Sequence, residues 1–150
     1  MILEYARMRD SAKPPVRSNP SDAGLDIFYN PESDEPVTIA PGESVVLQTG
    51  YRFGVPHGYM LEVKNRSGLA SKRSLVVGAC VVGYDGEVLI NLHNIGTVPQ
   101  TVEPYTKIAQ LVMVPVVHFR AMETHGGDLY NWYPIAMTDR GMGGFGSTGS

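Results

Sequence analysis

The chain closes on RGMGGFGSTGS, residues 140–150, a segment whose side chains suit an anion and a flat ring. Its five glycines permit positive φ and close backbone approach, so successive N–H groups can wrap phosphate oxygens. Arg140 supplies a guanidinium fork, Ser147 and Thr148 supply hydroxyl donors, and Phe145 can stack on a base. A solvated terminus is the alternative, and only agreement from other segments separates the two. Elsewhere the chemistry-bearing residues are sparse. His57, His93, His118 and His125 are scattered and Cys80 stands alone, so no spacing resembles a zinc site and no intrachain disulfide is possible. The histidines read as surface or internally satisfied residues.

The elements that must position such groups are strands. Val45, Leu47, Thr49, Tyr51, Phe53 and Val55 alternate with Val46, Gln48, Gly50, Arg52 and Gly54, the period of a half-buried strand. Tyr59, Leu61 and Val63 repeat the pattern, as do Val88, Ile90 and Leu92, and residues 108–117 form an apolar run broken by Pro115. APGE at 40–43, VPHG at 55–58, YDGE at 84–87 and VEPYT at 102–106 are turn signals at strand-like intervals. Only SGLASKRS, 67–74, reads as a helical turn. The chain is therefore expected to be one all-β domain of 150 residues, a sandwich or jelly roll.

Twelve Lys and Arg against fifteen Asp and Glu give 12 − 15 = −3, which argues against holding nucleic acid by broad electrostatics. Any anionic ligand must be gripped locally. The start of the sequence shows no charged-then-apolar leader and no stretch reaches eighteen apolar residues, so a cytoplasmic or other intracellular protein with no membrane span is expected.

SDAGLDIF at 21–28, NRSGLASK at 65–72, GACVVGYDGEVLINLHN at 78–94, TKIAQL at 106–111 and TDRGMGGFGSTG at 138–149 resemble, in order and spacing, the five motifs of the homotrimeric dUTPase family. The resemblance implies a β jelly-roll homotrimer that hydrolyses dUTP to dUMP and pyrophosphate with Mg²⁺ carried on the substrate phosphates. Each site is then built from three subunits, and a flexible arm, residues 138–150, closes over nucleotide bound to a domain spanning residues 1–137. Carried over residue by residue, Arg66, Ser67 and Gly68 hold the phosphate chain and Gln110 contacts phosphate or water. Arg140, Phe145, Gly146, Ser147 and Thr148 correspond to the closing arm, and Asp26 supports the phosphate and metal surroundings. Ser67 has a second reading as the cap of the helical turn, and Asp26 a second reading as a structural acid. Backbone from Gly78 and Ala79 to Val82 is placed to read a uracil edge, and Tyr84 to press on the sugar and exclude a 2′-hydroxyl.

The third motif departs from the family pattern. Counting three residues back from Tyr84 reaches Val81, while aligning from VGA at 77–79 puts Gly83 at the acid's place and leaves the hairpin two residues short. Neither alignment places a carboxylate where the family's general base lies. Asp85 is the nearest acid, either a substitute base or an ordinary Asp-Gly turn residue, and Glu87 reads as structural. The sequence thus carries two readings, an active dUTP diphosphatase and a nucleotide-binding trimer with lost or weak hydrolysis. The related dCTP deaminase branch is disfavoured by the closing arm. Residues 118–137 are longer than a connection between the fourth and fifth motifs needs, and Tyr130, Trp132 and Tyr133 are expected to pack, on the trimer or on a partner.

Overall fold

The computed structural model describes residues 1–79 and 86–132, together with the backbone of residues 81 and 82. It falls into two compact units, Met1–His118 and Phe119–Ser150. The first carries eleven strands, β1 (Glu4–Arg7), β2 (Gly24–Phe28), β3 (Val37–Ile39), β4 (Ser44–Gln48), β5 (Tyr51–Gly54), β6 (Tyr59–Lys64), β7 (Leu75–Val77), β8 (Val81–Val82), β9 (Leu89–Asn94), β10 (Gln100–Val102) and β11 (Lys107–Pro115), and one helix, α1 (Ser67–Arg73). The all-β expectation holds, and the one α-helix among the described residues is the segment that the sequence marked.

Two larger sheets, ordered β2-β11-β6-β8 and β4-β9-β7, are accompanied by the ribbons β1-β5 and β10-β3, every described pairing being antiparallel. Alternation decides which side chains meet. Ile27, Leu61, Val63 and Leu111 from the first sheet join Leu47, Leu75, Ile90 and Leu92 from the second in one buried cluster. Each such side chain contributes roughly 1.5–3 kcal/mol by leaving water. Pro115 ends β11, where its missing N–H interrupts no central ladder.

The alternating run from Val45 to Val55 is split in two. Its period holds, since Leu47, Thr49, Tyr51 and Phe53 are all buried, but the chain turns at Gly50 with φ +74°. A Cβ on Gly50 would lie 2.7 Å from that of Ala12. Buried Asn30 supports this corner, its Nδ2 donating to Thr49 O (2.6 Å) and Lys13 O (3.1 Å) and its Oδ1 accepting from Lys13 N (3.0 Å). The Arg9 guanidinium donates to Asn30 O (2.8 Å) and to the Glu87 carboxylate, tying the N-terminal segment to the residues just ahead of β9. That supports the reading of Glu87 as structural.

Among the described residues of the second unit a 3-10 turn spans His125–Gly127, and Asn131 Nδ2 donates to Asp128 O at 3.2 Å. Tyr130 and Trp132 are 60% and 75% exposed in the single chain, which leaves both rings open to the trimer or partner packing expected of them, and Tyr133 lies outside the described residues. The expected boundary at 137/138 lies outside them too. Among the described residues no helix is long and apolar enough to cross a membrane.

Candidate functional site

The second motif sits where β6 gives way to α1, and the fourth lies beside it because β11 pairs with β6. Gln110 is directly opposite Lys64 on β6 and Asp26 on β2, and directly opposed residues share a sheet face. A cross-strand row of Asp26, Gln110 and Lys64 therefore ends at the loop carrying Arg66. Gly24 lets the row close up, since a Cβ there would stand 3.0 Å from Gln110 Oε1.

Asp26 is the hub of the charges. Its Oδ1 lies 3.3 Å from Arg66 Nε, and its Oδ2 lies 3.2 Å from Lys107 Nζ and accepts a hydrogen bond from Ser18 Oγ at 2.7 Å. Burial works to raise this carboxyl, but the hydrogen bonds from Ser18 and Lys107 and the charges of Arg66 and Lys107 outweigh it and hold it below the ordinary carboxylate value. One carboxylate against two cations leaves the cluster with one net positive charge. Beside it opens a pocket of about 420 Å³ whose walls include Arg66, Lys107, Arg73 and Phe28.

The loop itself is braced by Asn65, which the sequence reading did not single out. Its Oδ1 accepts from Val77 N (2.7 Å) and its backbone O accepts from Gln110 Nε2 (3.0 Å). A single residue thus fastens the second motif to the fourth and to the segment that enters the third. The only available signal was its place immediately before Arg66. The cap of α1 is Arg66, with no side-chain capping bond, so the reading of Ser67 as the helix cap does not hold. Ser67 instead is the first helical residue, and its carbonyl accepts from Ser71 Oγ at 2.6 Å. A Cβ on Gly68 would meet nothing within 4 Å, so its backbone is open to approach.

Gly78 and Ala79 follow Val77 and are both exposed. Gly78 N donates to Asn91 O at 2.9 Å, and its Cα rests against a polar pair in which His93 Nε2 and Asn91 Oδ1 are 2.7 Å apart. Asn91 Nδ2 donates to Val45 O (3.3 Å), which assigns Oδ1 as acceptor and His93 Nε2 as donor. Val81 and Val82 pair with Glu62 and Leu61 on β6. Cys80, Gly83, Tyr84 and Asp85 lie outside the described residues, as do Arg140, Phe145, Gly146, Ser147 and Thr148. Of the scattered histidines, His57 and His118 stack face to face with ring centroids 4.4 Å apart, a contact their spacing did not announce.

Fold and charge cluster together define an all-β protein with a cationic cluster on a face made by three strands and one loop. The dUTPase family matches residues 10–149, and the chain belongs to it. Over 149 residues it is 34% identical to the deoxyuridine 5′-triphosphate nucleotidohydrolase of Chlamydia muridarum, covering 97% of each chain. The enzyme of the same name from Rhizobium etli is 37% identical over 139 residues, covering 90% of this chain and 84% of the relative. Among solved structures, the dUTPase of Staphylococcus bacteriophage 80alpha with dUpNHpp superposes with a TM-score of 0.82 at 26% identity, covering 99% of both chains. A mutant dUTPase of phage phi11 of S. aureus, described with a structural Mg(II) ion, gives 0.74 at 25% identity over 83% of this chain and 97% of that one. The fold is accordingly the jelly roll of that family, and the chain is a nucleotide hydrolase by class.

Proposed function

We propose that this protein is a dUTP diphosphatase, hydrolysing dUTP to dUMP and pyrophosphate. The observation that carries the reading is the convergence of the first, second and fourth motifs on one cationic cluster, Asp26 with Arg66 and Lys107, next to Gln110. Arg66 and the open backbone at Ser67 and Gly68 would hold the phosphate chain, and Gln110 would hold phosphate or water. Gly78 and Ala79 would present backbone groups to the uracil edge, Tyr84 would exclude the 2′-hydroxyl of ribose, and Arg140, Phe145, Gly146, Ser147 and Thr148 would close over the nucleotide.

In the reaction a water oxygen forms a bond to the α-phosphorus and the bond from that phosphorus to the α–β bridging oxygen breaks, releasing pyrophosphate. The water's proton passes to a base, for which Asp85 is the assignment. Most of the rate enhancement in such a displacement comes from positioning and from cations facing the phosphates. Both Asp26 oxygens already face cations, so this acid is a poor metal ligand. That fits Mg²⁺ carried on the phosphate oxygens, where it would neutralise charge. A homotrimer fits the exposed apolar residues Val46 and Leu89 on the outer face of the β4-β9-β7 sheet and the exposed Tyr130 and Trp132.

A second reading, a dUTP-binding trimer of weak or lost hydrolysis, is favoured by the absence of an acid at Val81 and at Gly83. Pyrophosphate release from dUTP with Mg²⁺, run beside dCTP, dTTP and UTP, tests both. Turnover selective for dUTP is expected. Tight dUTP binding without release would establish the second reading, and release from dCTP or UTP at the same rate would defeat the substrate assignment.

A further inference from the structure

Lys107 lies in the fourth motif, three residues before Gln110, and is given no individual task in the reading above, where it counts only as a member of the cationic cluster. Its Nζ is held at 3.2 Å from Asp26 Oδ2 and 2.9 Å from Ser18 Oγ, while Arg66 Nε takes the other carboxylate oxygen. We propose that Lys107 is a positioning residue for the nucleotide's phosphates, fixing Asp26 so that Asp26 in turn aims the Arg66 guanidinium at the substrate. The inference rests on the assignment of Arg66 to the phosphate chain.

Two effects act in the same direction. A guanidinium gripped through Nε keeps both terminal nitrogens for a bidentate contact and loses its freedom to rotate, so less ordering is left for the ligand to impose. Second, Asp26 paired with Arg66 alone would cancel its charge. Only with Lys107 present does the cluster keep one net positive charge for a polyphosphate. The Arg66, Lys107 and Asp26 side chains are 34%, 31% and 15% exposed, partly shielded from the solvent that weakens such pairs at an open surface. Among the described residues, the charged groups facing Asp26 come from two elements, Arg66 from the loop before α1 and Lys107 from β11, with the neutral Ser18 hydroxyl from the segment ahead of β2. Without Lys107, burial is opposed by less, so the Asp26 carboxyl moves up.

The test uses the full-length protein, with dUpNHpp and Mg²⁺ in a calorimeter and dUTP in a pH-resolved rate assay. Lys107→Met should raise the Kd for dUpNHpp and the KM for dUTP by about tenfold or more, the scale of one lost charge-assisted contact. kcat should change by less than about threefold, and the acid limb of kcat/KM should move up. Lys107→Arg, which restores the charge, should return both constants to within about threefold of the parent. A Lys107→Met protein with the parent's Kd and acid limb overturns the proposal, and so does a Lys107→Arg protein as weak as Lys107→Met. If the parent binds dUpNHpp but releases no pyrophosphate from dUTP, the hydrolysis reading falls while the Kd comparison still decides the role of Lys107. A parent that binds no nucleotide removes both.

Discussion

Replacing Gly78 with alanine puts a methyl carbon into a space already filled by polar atoms. It would stand 2.7 Å from His93 Cδ2, with His93 Nε2 and Asn91 Oδ1 closer still, well inside ordinary contact distance. Relief by rotating either side chain breaks the His93–Asn91 hydrogen bond, and moving Asn91 also loosens its bond to Val45 O. Overpacking of this kind costs about 1–3 kcal/mol and a lost partly buried hydrogen bond about 0.5–1.5 kcal/mol. Together these come to about 1.5–4.5 kcal/mol. For a chain of this length that is a fall in melting temperature of roughly 5–15 °C. Thermal and urea denaturation of Gly78→Ala measure it, and His93→Ala in the same background should recover much of the loss, because two of the three close atoms belong to His93. dUTP affinity should fall with stability, since this backbone is assigned to the base. A Gly78→Ala protein within about 0.5 kcal/mol of the parent would refute the packing argument.

Arg9→Met should destabilise by about 1.5–3 kcal/mol in urea unfolding, the scale of a hydrogen bond between charged groups, because it removes an ion pair whose two side chains are only 18% and 13% exposed. A folded-state carboxyl held below its unfolded value contributes stability that is present at neutral pH and is lost as pH falls through the depressed value. Asp26→Asn should therefore flatten the acid edge of the stability curve below about pH 4, as read by calorimetry at stepped pH. Asp85→Asn should lower dUTP turnover by about a hundredfold or more with binding kept, and an unchanged rate would remove Asp85 as the base. Deleting residues 140–150 should cut turnover severely while leaving the melting transition in place, as rate assays and calorimetry on the same preparation will show.

Much of this protein was legible in the order of its residues. Period-two alternation marked β4, β5, β6 and β9 because a half-buried strand needs it, a short apolar run marked β11, and the glycine- and proline-bearing turns between them left room for little helix beyond α1. The short strands β1, β3 and β10 escaped, since three or four residues carry too little alternation to register. The motifs named Arg66, Gln110 and Asp26 one by one, each with a bland alternative that local sequence could not remove. What tied them together was long-range pairing. Register across β2, β11 and β6 put Asp26, Gln110 and Lys64 in one row, and Asn65 bonded to partners 12 and 45 residues away in the chain. No local pattern encodes such a meeting, because register follows from which faces the whole sheet buries. The same reason hid Lys107, Ser18 and the Arg9–Glu87 tie, whose partners lie 81, 8 and 78 residues apart along the chain. Sequence chose the strands and the chemical groups; tertiary packing alone decided that two cations would share one carboxylate.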